Sequence, residues 1–359
     1  MNKKKRFAKI RALNRQRNFL MKKLRLYVAS FFFDYKKPRP FDLSSCKTVL
    51  FLRDDDKIGD MVVSTCLFRE FHRAGYQVDV FAGQKNSSVL EFNPYVKNLY
   101  ISGESPHEKL QVAEKLRLKN YDLVIDMGDK LTPFNLRFLR KVNAKNVIGF
   151  NKDAFNIFNY SIAFSGFDKH ITERYKLLME NMGLKDYSAE YDLHMSDEVI
   201  NNVDEFVKSL PGGKKIVINP FTADPRRDMS LSQLDELIGK IKVNWPGCVV
   251  IIIGDPSAIK KVKNRDAIIS PFSSLASSCR IVFLADIVIS PDTSIVHIAA
   301  AWRKPMVSLY GHDVHGKYIN SILWAPGYPE ATQLFTKDKH HPVSSIDVDE
   351  IIEVVWEKI

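Results

Sequence analysis

The chain has 359 residues, enough for two domains, and its 45% hydrophobic and 26% charged content is that of an ordinary globular protein. Its longest apolar runs, near Tyr27–Phe33 and Ile281–Ile289, fall far short of the roughly 18–20 residues of a membrane-spanning helix. The net charge of +11 is unevenly placed: residues 1–40 hold 14 Lys and Arg against the single acid Asp34, whereas the remainder holds 39 against 41. Basicity therefore belongs to a tail, and the body is slightly acidic. The basic start is not followed by an apolar core and a small-residue cleavage site, so no secretory signal is expected. Cys46, Cys66, Cys248 and Cys279 are scattered with no CxxC pair, which argues against zinc and against a disulfide framework and for reduced thiols in the cytosol.

In chain order, residues 1–40 form the basic tail. From Leu20 the pattern is helical: Leu20, Leu24, Tyr27 and Phe31 recur at spacings of three and four, and Lys36-Lys-Pro-Arg-Pro40 stops the run. A cationic segment ending in an aromatic amphipathic stretch suits an anionic membrane surface. A docked structural helix and a nucleic-acid contact are the competing readings, the second without any recognition motif to support it. Residues 41–190 then alternate strand and helix. Strands are expected at Lys47–Arg53, Gln77–Phe81, Val96–Ile101, Leu123–Asp126, Asn146–Phe150 and Ser161–Phe164. The expected helices are Met61–Ala74, Pro106–Lys119, Pro133–Val142 and Ile171–Met182. Residues 191–340 repeat the alternation, with strands at Lys215–Asn219, Val249–Ile253, Ile268–Ser270, Ile287–Ser290 and Met306–Tyr310. Ser196 is placed as the cap of a helix ending near Leu210. Alternation of this kind means α/β domains with parallel sheets and helices on both faces. Residues 341–359 close the chain as an amphipathic helix.

In open parallel sheets, ligands bind beyond the carboxyl ends of the strands, and four segments lie there. Ile287–Ser290 runs into Pro291-Asp292-Thr293-Ser294 and then a small-residue helix, a turn whose free amides suit an anion such as phosphate. His297 sits one turn into that helix, as a ligand neighbour or a packed residue. Asp60, after Gly59, reads either as a helix cap or as a carboxylate working as general base. Asp54-Asp55-Asp56 reads as a solvated acidic loop or, less readily, a cation site. Arg226 and Arg227 follow a strand, where a planar guanidinium fork suits phosphate oxygens. Asp255, after Gly254, is a turn residue or a ribose ligand. The absence of GxGxxG, GxxxxGK[ST], HExxH and GxSxG weakens dehydrogenase, P-loop, zincin and α/β-hydrolase readings.

Three patches together resemble glycosyltransferase family 9, the ADP-heptose:lipopolysaccharide heptosyltransferases. Arg53 to Thr65, with Gly59-Asp60 before an apolar helix, is similar to the family's first-strand motif. Asn219-Pro220 through Arg227 is similar to its phosphate loop, and Ser290 through Gly311 to its Asp-Thr-Gly-x-x-His-x-Ala-Ala block. The match in order and spacing covers about residues 47–311, and the tail has no counterpart. The resemblance implies a GT-B architecture of two Rossmann-like domains facing a cleft, with the last helix crossing back to the N-terminal domain. It implies an inverting transfer of heptose from ADP-heptose to a lipopolysaccharide or lipooligosaccharide inner-core acceptor, with no resident cofactor and no metal. Asp60 matches the catalytic base, with Lys57 and Gly59 at the acceptor side. Thr222, Arg226, Arg227, Asp255, Asp292, Thr293, Ser294 and His297 match the donor side. Ser294 stands where the family has Gly, Arg227 where it usually has Lys, and Asp228-Met229 where it has a basic residue and Trp. Such an enzyme works in the cytoplasm, peripherally on the inner face of the bacterial inner membrane, on a lipid-linked acceptor. Another nucleotide sugar, or a degenerate membrane-bound member, are the alternatives.

Overall fold

A computed structural model describes residues 8–359 except 167, 313, 316 and 317. Residues 1–7 of the basic tail lie outside the described residues. Contacts divide the chain into two units that interleave in sequence, instead of parting near residue 190. One is built from the chain through Asp54, Gly75–Gln84 and Lys97–Phe164; the other from Asp55–Ala74, Lys85–Val96 and Ser165–Ile359.

The first unit opens with helix α1 (Ala8–Phe33), longer than its apolar periodicity alone predicts. Its first half is rich in Arg, Lys, Gln and Ala, which favour helix without an apolar face. Strands β1 (Thr48–Arg53), β2 (Gln77–Ala82), β3 (Val96–Ile101), β4 (Leu123–Asp126), β5 (Asn146–Phe150) and β6 (Tyr160–Ile162) form one sheet in the order β3-β2-β1-β4-β5-β6. Helix α2 (Ile58–Arg73) lies between β1 and β2 in sequence, and its residues belong to the second unit. Helices α3 (Pro106–Arg117) and α4 (Pro133–Val142) start where expected because each has a capping box, Ser105 with Glu108 and Thr132 with Asn135, and a proline in the first turn. Leu50, Leu52, Val124 and Val147 of the strands pack with Leu116, Leu136 and Leu139 of the helices.

The second unit adds helices α5 (Thr172–Asn181) and α6 (Asp197–Ser209), the latter capped by Ser196. Strand β7 (Lys215–Ile218), helix α7 (Leu231–Asn244), β8 (Val249–Ile252), the short α8 (Pro256–Ile259) and β9 (Ala267–Ile269) follow. Then come α9 (Leu275–Leu284), β10 (Ile287–Pro291), α10 (Ser294–Ala301) and β11 (Met306–Tyr310). A small hairpin, β12 (Val314–His315) and β13 (Tyr318–Ile319), the short α11 (Asn320–Leu323), β14 (Ala331–Phe335) and α12 (Val348–Lys358) complete it. The second sheet has the order β14-β11-β10-β7-β8-β9. Numbered within each sheet, both orders read 3-2-1-4-5-6, the doubly wound arrangement in which strand order reverses at one point. In the second sheet that point falls between β7 and β10, which pair in parallel with Ile218 beside Ile289.

Two features depart from expectation. Strand β14 has no signal in the sequence, because an edge strand that is only partly buried needs no apolar run. Helix α12 was expected to return to the N-terminal half. Its apolar face, Val348, Ile351, Ile352 and Val355, is instead buried in the core of the second sheet with Leu234, Ile238 and Leu309. Replacing Ile351, which is fully buried, with Ala should therefore cost about 2–5 kcal/mol in chemical denaturation, the loss expected for a core aliphatic side chain.

Candidate active site

The site sits at the reversal point of the second sheet. Strand β10 is buried along its whole length because both neighbouring strands pair with it. It ends in a turn that is tied down on both sides. The Asp292 amide donates to the Leu309 carbonyl on β11, and the Asn219 amide, at the end of β7, donates to the Ile289 carbonyl. The Asn219 side-chain amide then reaches across, donating to the hydroxyls of Ser290 at 3.0 Å and Thr293 at 3.1 Å. Those two hydroxyls lie 3.1 Å apart. Asn219 is 3% exposed and Ser290 fully buried, so this network fixes the turn without carrying charge.

Thr293 is the N-cap of α10: its hydroxyl accepts from the Ile295 amide and its carbonyl from the Val296 amide. Among the described residues no acceptor meets the amides of Thr293 and Ser294. Two backbone donors at the positive end of a helix dipole are thus presented together, an arrangement that holds anions. Ser294 is the first helical residue and has no positive φ. The serine therefore occupies the family's glycine position without backbone strain, and both amides are still presented.

Arg227 closes one side of this turn. It ends a short 3-10 turn, and its Nη1 donates to the Asp292 carboxylate at 2.9 Å and the Asp292 carbonyl at 3.2 Å. Asp292 is thereby an orienting group, while the remaining N–H donors of the fork stay available for an anion. The loop carrying Arg227 is braced internally. Asp228 accepts from the Thr222 amide, the Thr222 hydroxyl donates to the Asp224 carbonyl, and Met229 is buried in the second core. Thr222, expected at the donor side, has both its amide and its hydroxyl engaged in this bracing. Arg226 pairs with Asp224, its Nη2 at 2.6 Å from the carboxylate, and its side chain is 78% exposed. That pairing, the Arg226 guanidinium donating to the carboxylate, holds the Asp224 carboxyl down to about 2. Asp255, the expected ribose ligand, caps α8: its carboxylate accepts from the amides of Ser257 and Ala258 and from the Ser257 hydroxyl, which lowers its pKa. The structure gives both residues local structural work.

Asp60 lies in the first turn of α2, whose N-cap is Lys57 with no side-chain cap bond. Asp60 is therefore not the N-cap residue itself, and its side chain, 15% exposed, stands 3.7 Å from the Lys57 ammonium, which is largely exposed. The neighbouring Gly59 brings this helix to the anion-binding turn. A Cβ built on Gly59 would lie 2.9 Å from Cδ2 of His297 and 3.6 Å from Cα of Ser294. Only a glycine lets the two helix starts approach this closely.

His297 was expected beside the donor. It is 3% exposed, ringed by Gly59, Tyr191 and Trp324, and its Nδ1 has no partner among the described residues. Burial, and secondarily the nearby His170, lower its pKa to about 3. It is therefore a neutral packing residue that sets the spacing of α2 and α10, and contributes no charge to the turn.

Each of the acids Asp54, Asp55 and Asp56 has a partner of its own: Lys109, the Asn86 side chain and the Lys85 amide respectively. No group of three His, Cys, Asp or Glu suited to a metal occurs among the described residues. Sequence reasoning quoted Asn219 and Ser290 within the resembling patches without giving either a role, and it passed over Tyr191 and Trp324. Asn219 and Ser290 had a readable signal, polar residues closing two buried strands. Tyr191 and Trp324 had none, since only the fold carries them to His297. In the first unit it also passed over Lys152, 3% exposed at the end of β5, whose ammonium donates to the Gly128 carbonyl 2.8 Å away.

The model of glycosyltransferase family 9 (heptosyltransferase) matches residues 109–339. The putative lipopolysaccharide heptosyltransferase 4 of Escherichia coli is 23% identical over 347 residues, which cover 95% of this chain and 96% of that protein. Lipopolysaccharide heptosyltransferase 3 of the same bacterium is 23% identical over 332 residues, 84% of this chain and 95% of its own length. Among solved structures, the family 9 glycosyltransferase of Veillonella parvula aligns with a TM-score of 0.73 at 17% identity, covering 89% of this chain and 98% of that one. The E. coli heptosyltransferase WaaC, solved with ADP, aligns at 0.66 and 17% identity, covering 87% and 100%. It has also been solved with ADP-2-deoxy-2-fluoro heptose. These structural likenesses establish a shared GT-B-like α/β fold.

Two outcomes follow from the geometry. Gly59→Ala should destabilise the chain by about 1–3 kcal/mol in thermal melting, although alanine favours helix, and the loss should shrink when His297→Ala removes the ring it strikes. In an NMR titration the His297 ring should stay neutral as pH falls through the ordinary histidine value of about 6.5. Because its folded pKa is depressed, unfolding takes up a proton below that value. His297 therefore lowers stability progressively as pH falls from about 6.5 towards its folded pKa of about 3.

Proposed function

The chain belongs to glycosyltransferase family 9 and is a glycosyltransferase, and from that premise we propose that it transfers heptose from ADP-heptose to a lipid-linked inner-core sugar of lipopolysaccharide, with inversion and with Asp60 as the base. The observation that carries this reading is the contact of Gly59 with His297 and Ser294, which puts the residue next to Asp60 against the anion-binding turn.

In the proposed reaction an acceptor hydroxyl attacks the anomeric carbon of the donor from the face opposite the diphosphate. A carbon–oxygen bond forms there, the bond to the β-phosphate oxygen breaks, and ADP leaves with that electron pair. The hydroxyl becomes acidic as it attacks, and its proton passes to the Asp60 carboxylate. Charge grows on the leaving diphosphate. The Thr293 and Ser294 amides, the α10 dipole and the open part of the Arg227 fork are aimed to meet it. No metal enters the scheme. His297 holds the spacing between base and turn, and Asp292 holds Arg227. Lys57 lies beside Asp60 at the acceptor side.

The acceptor in this reading is anchored in the inner face of the bacterial inner membrane, with residues 1–37 meeting that anionic surface. Relatives named as lipopolysaccharide heptosyltransferases, and a neighbour solved with ADP and an ADP-heptose analogue, support the choice of donor and acceptor.

Asp60→Asn should lower kcat by roughly 10²–10⁴ in an ADP-heptose transfer assay while leaving ADP binding by calorimetry within a few-fold of the parent. Full activity in that variant would sink the base assignment. Binding of UDP in preference to ADP would move the donor to another nucleotide sugar.

A further inference from the structure

Helix α1 has two apolar sides, and the first unit uses one of them. Ala29 is buried in that unit's core, with Leu26 and Phe33 packed against it, and the helix rests on α4. The joint is locked just past the helix end. The Asp34 carboxylate accepts from the amides of Asn156 and Ile157. The Tyr35 ring is sandwiched by the guanidinium groups of Arg39 and Arg140, 4.0 and 4.4 Å from its centre. The helix is therefore held in a fixed orientation.

Its other side is bare. Leu20, Leu24, Tyr27 and Phe31, spaced four, three and four residues apart, fall on one face and are 57%, 53%, 75% and 81% exposed. Phe32, 66% exposed, lies off this face and meets the Phe31 ring edge-on, with ring centres 5.3 Å apart. Single exposed apolar residues need no explanation, but a contiguous aromatic stripe does. Lys23 borders it on the helix, Lys22 and Arg25 are exposed on the remaining sides, Lys36 and Lys37 follow it, and no acid occurs before Asp34.

We infer that this bare face is a membrane-docking surface: α1 lies in the plane of an anionic bilayer with Leu20, Leu24, Tyr27 and Phe31 sunk among the headgroups and the flanking cations on lipid phosphates. Charge complementarity selects that occupant. A second copy of the chain would bring the same 14 cations and single acid of residues 1–40 against their like. Nucleic acid would satisfy the cations and leave the aromatic stripe in water. An anionic lipid surface satisfies both, and interfacial helices are built from this combination of cations on one side and large apolar residues on the other. The inference adds to the proposed membrane contact the residues that enter the lipid, and it stands whatever sugar the enzyme transfers.

The test is co-sedimentation of the full chain with vesicles of phosphatidylcholine alone or mixed with phosphatidylglycerol. The parent should bind the mixed vesicles, and binding should weaken as salt is added. The triple variant Leu24→Ser, Tyr27→Ser and Phe31→Ser should lose about a hundredfold in partitioning with an unchanged melting temperature, since none of the three is in the core. Lys22→Gln, Lys23→Gln and Arg25→Gln should also weaken binding to mixed vesicles and flatten the salt dependence. Unchanged vesicle binding by the serine variant would overturn the inference. So would a parent dimer that the serine variant dissolves, or retention on RNA together with no binding to either vesicle. Transfer to a soluble acceptor fragment should be the same in parent and serine variant, which separates this result from any failure of the proposed chemistry.

Discussion

A glycine with nothing beyond its Cα, set against a buried histidine ring, is the contact on which the site depends. It allows the start of α2 to meet the start of α10 at a distance that any side chain on Gly59 would forbid. Both helix starts are positive ends of dipoles, so bringing them together is unfavourable unless negative charge sits nearby. Asp60 in the first turn of α2 supplies one such charge. The amides of Thr293 and Ser294 present the place for another. In the proposed reaction that second charge is the leaving diphosphate, and the same packing places the base beside it. His297 serves this arrangement by being neutral: a cation buried at that point would add to the repulsion, and burial keeps its pKa near 3.

The turn that presents those amides gains its rigidity from uncharged groups. Asn219, Ser290 and Thr293 share one hydrogen-bonded network across the two strands at which strand order reverses. Fixed dipoles of this kind need no rearrangement when charge develops on a substrate, which is how preorganised sites stabilise transition states. Arg227 is held by Asp292 on one edge of its fork only. The neighbouring Arg226, identical in chemistry, is paired with Asp224 on its own loop. Two adjacent arginines thus have different work because of the acids that face them, something their shared sequence context does not distinguish.

The tail follows similar logic at lower resolution of chemistry. A helix rich in cations has little reason to dock on a protein body, and here it docks by a narrow strip of Leu26, Ala29 and Phe33. That strip sets which aromatic residues remain outside. No described helix is long and apolar enough to cross a membrane.

Much of this was legible in the chain. Alternating apolar runs and capped helices determined α/β alternation with strands ending within a residue or two of Asn219, Gly254 and Pro291, because period and cap chemistry are local properties. The Gly-Asp pair, the arginine loop and the Asp-Thr-Ser turn marked the site for the same reason, each being a short motif at a strand end. Tertiary structure alone decided the rest. It showed that Lys57, and not Asp60, is the N-cap of α2, that Thr222 and Asp255 brace their own loops, and that α12 belongs to the second core. It assigned His297 to packing, since a ring's neutrality comes from what surrounds it and Gly59, Tyr191 and Trp324 are distant in sequence. The two sides of α1 were likewise invisible beforehand: periodicity reports that a helix has an apolar face, and only the position of α4 determines which apolar residues are left for solvent.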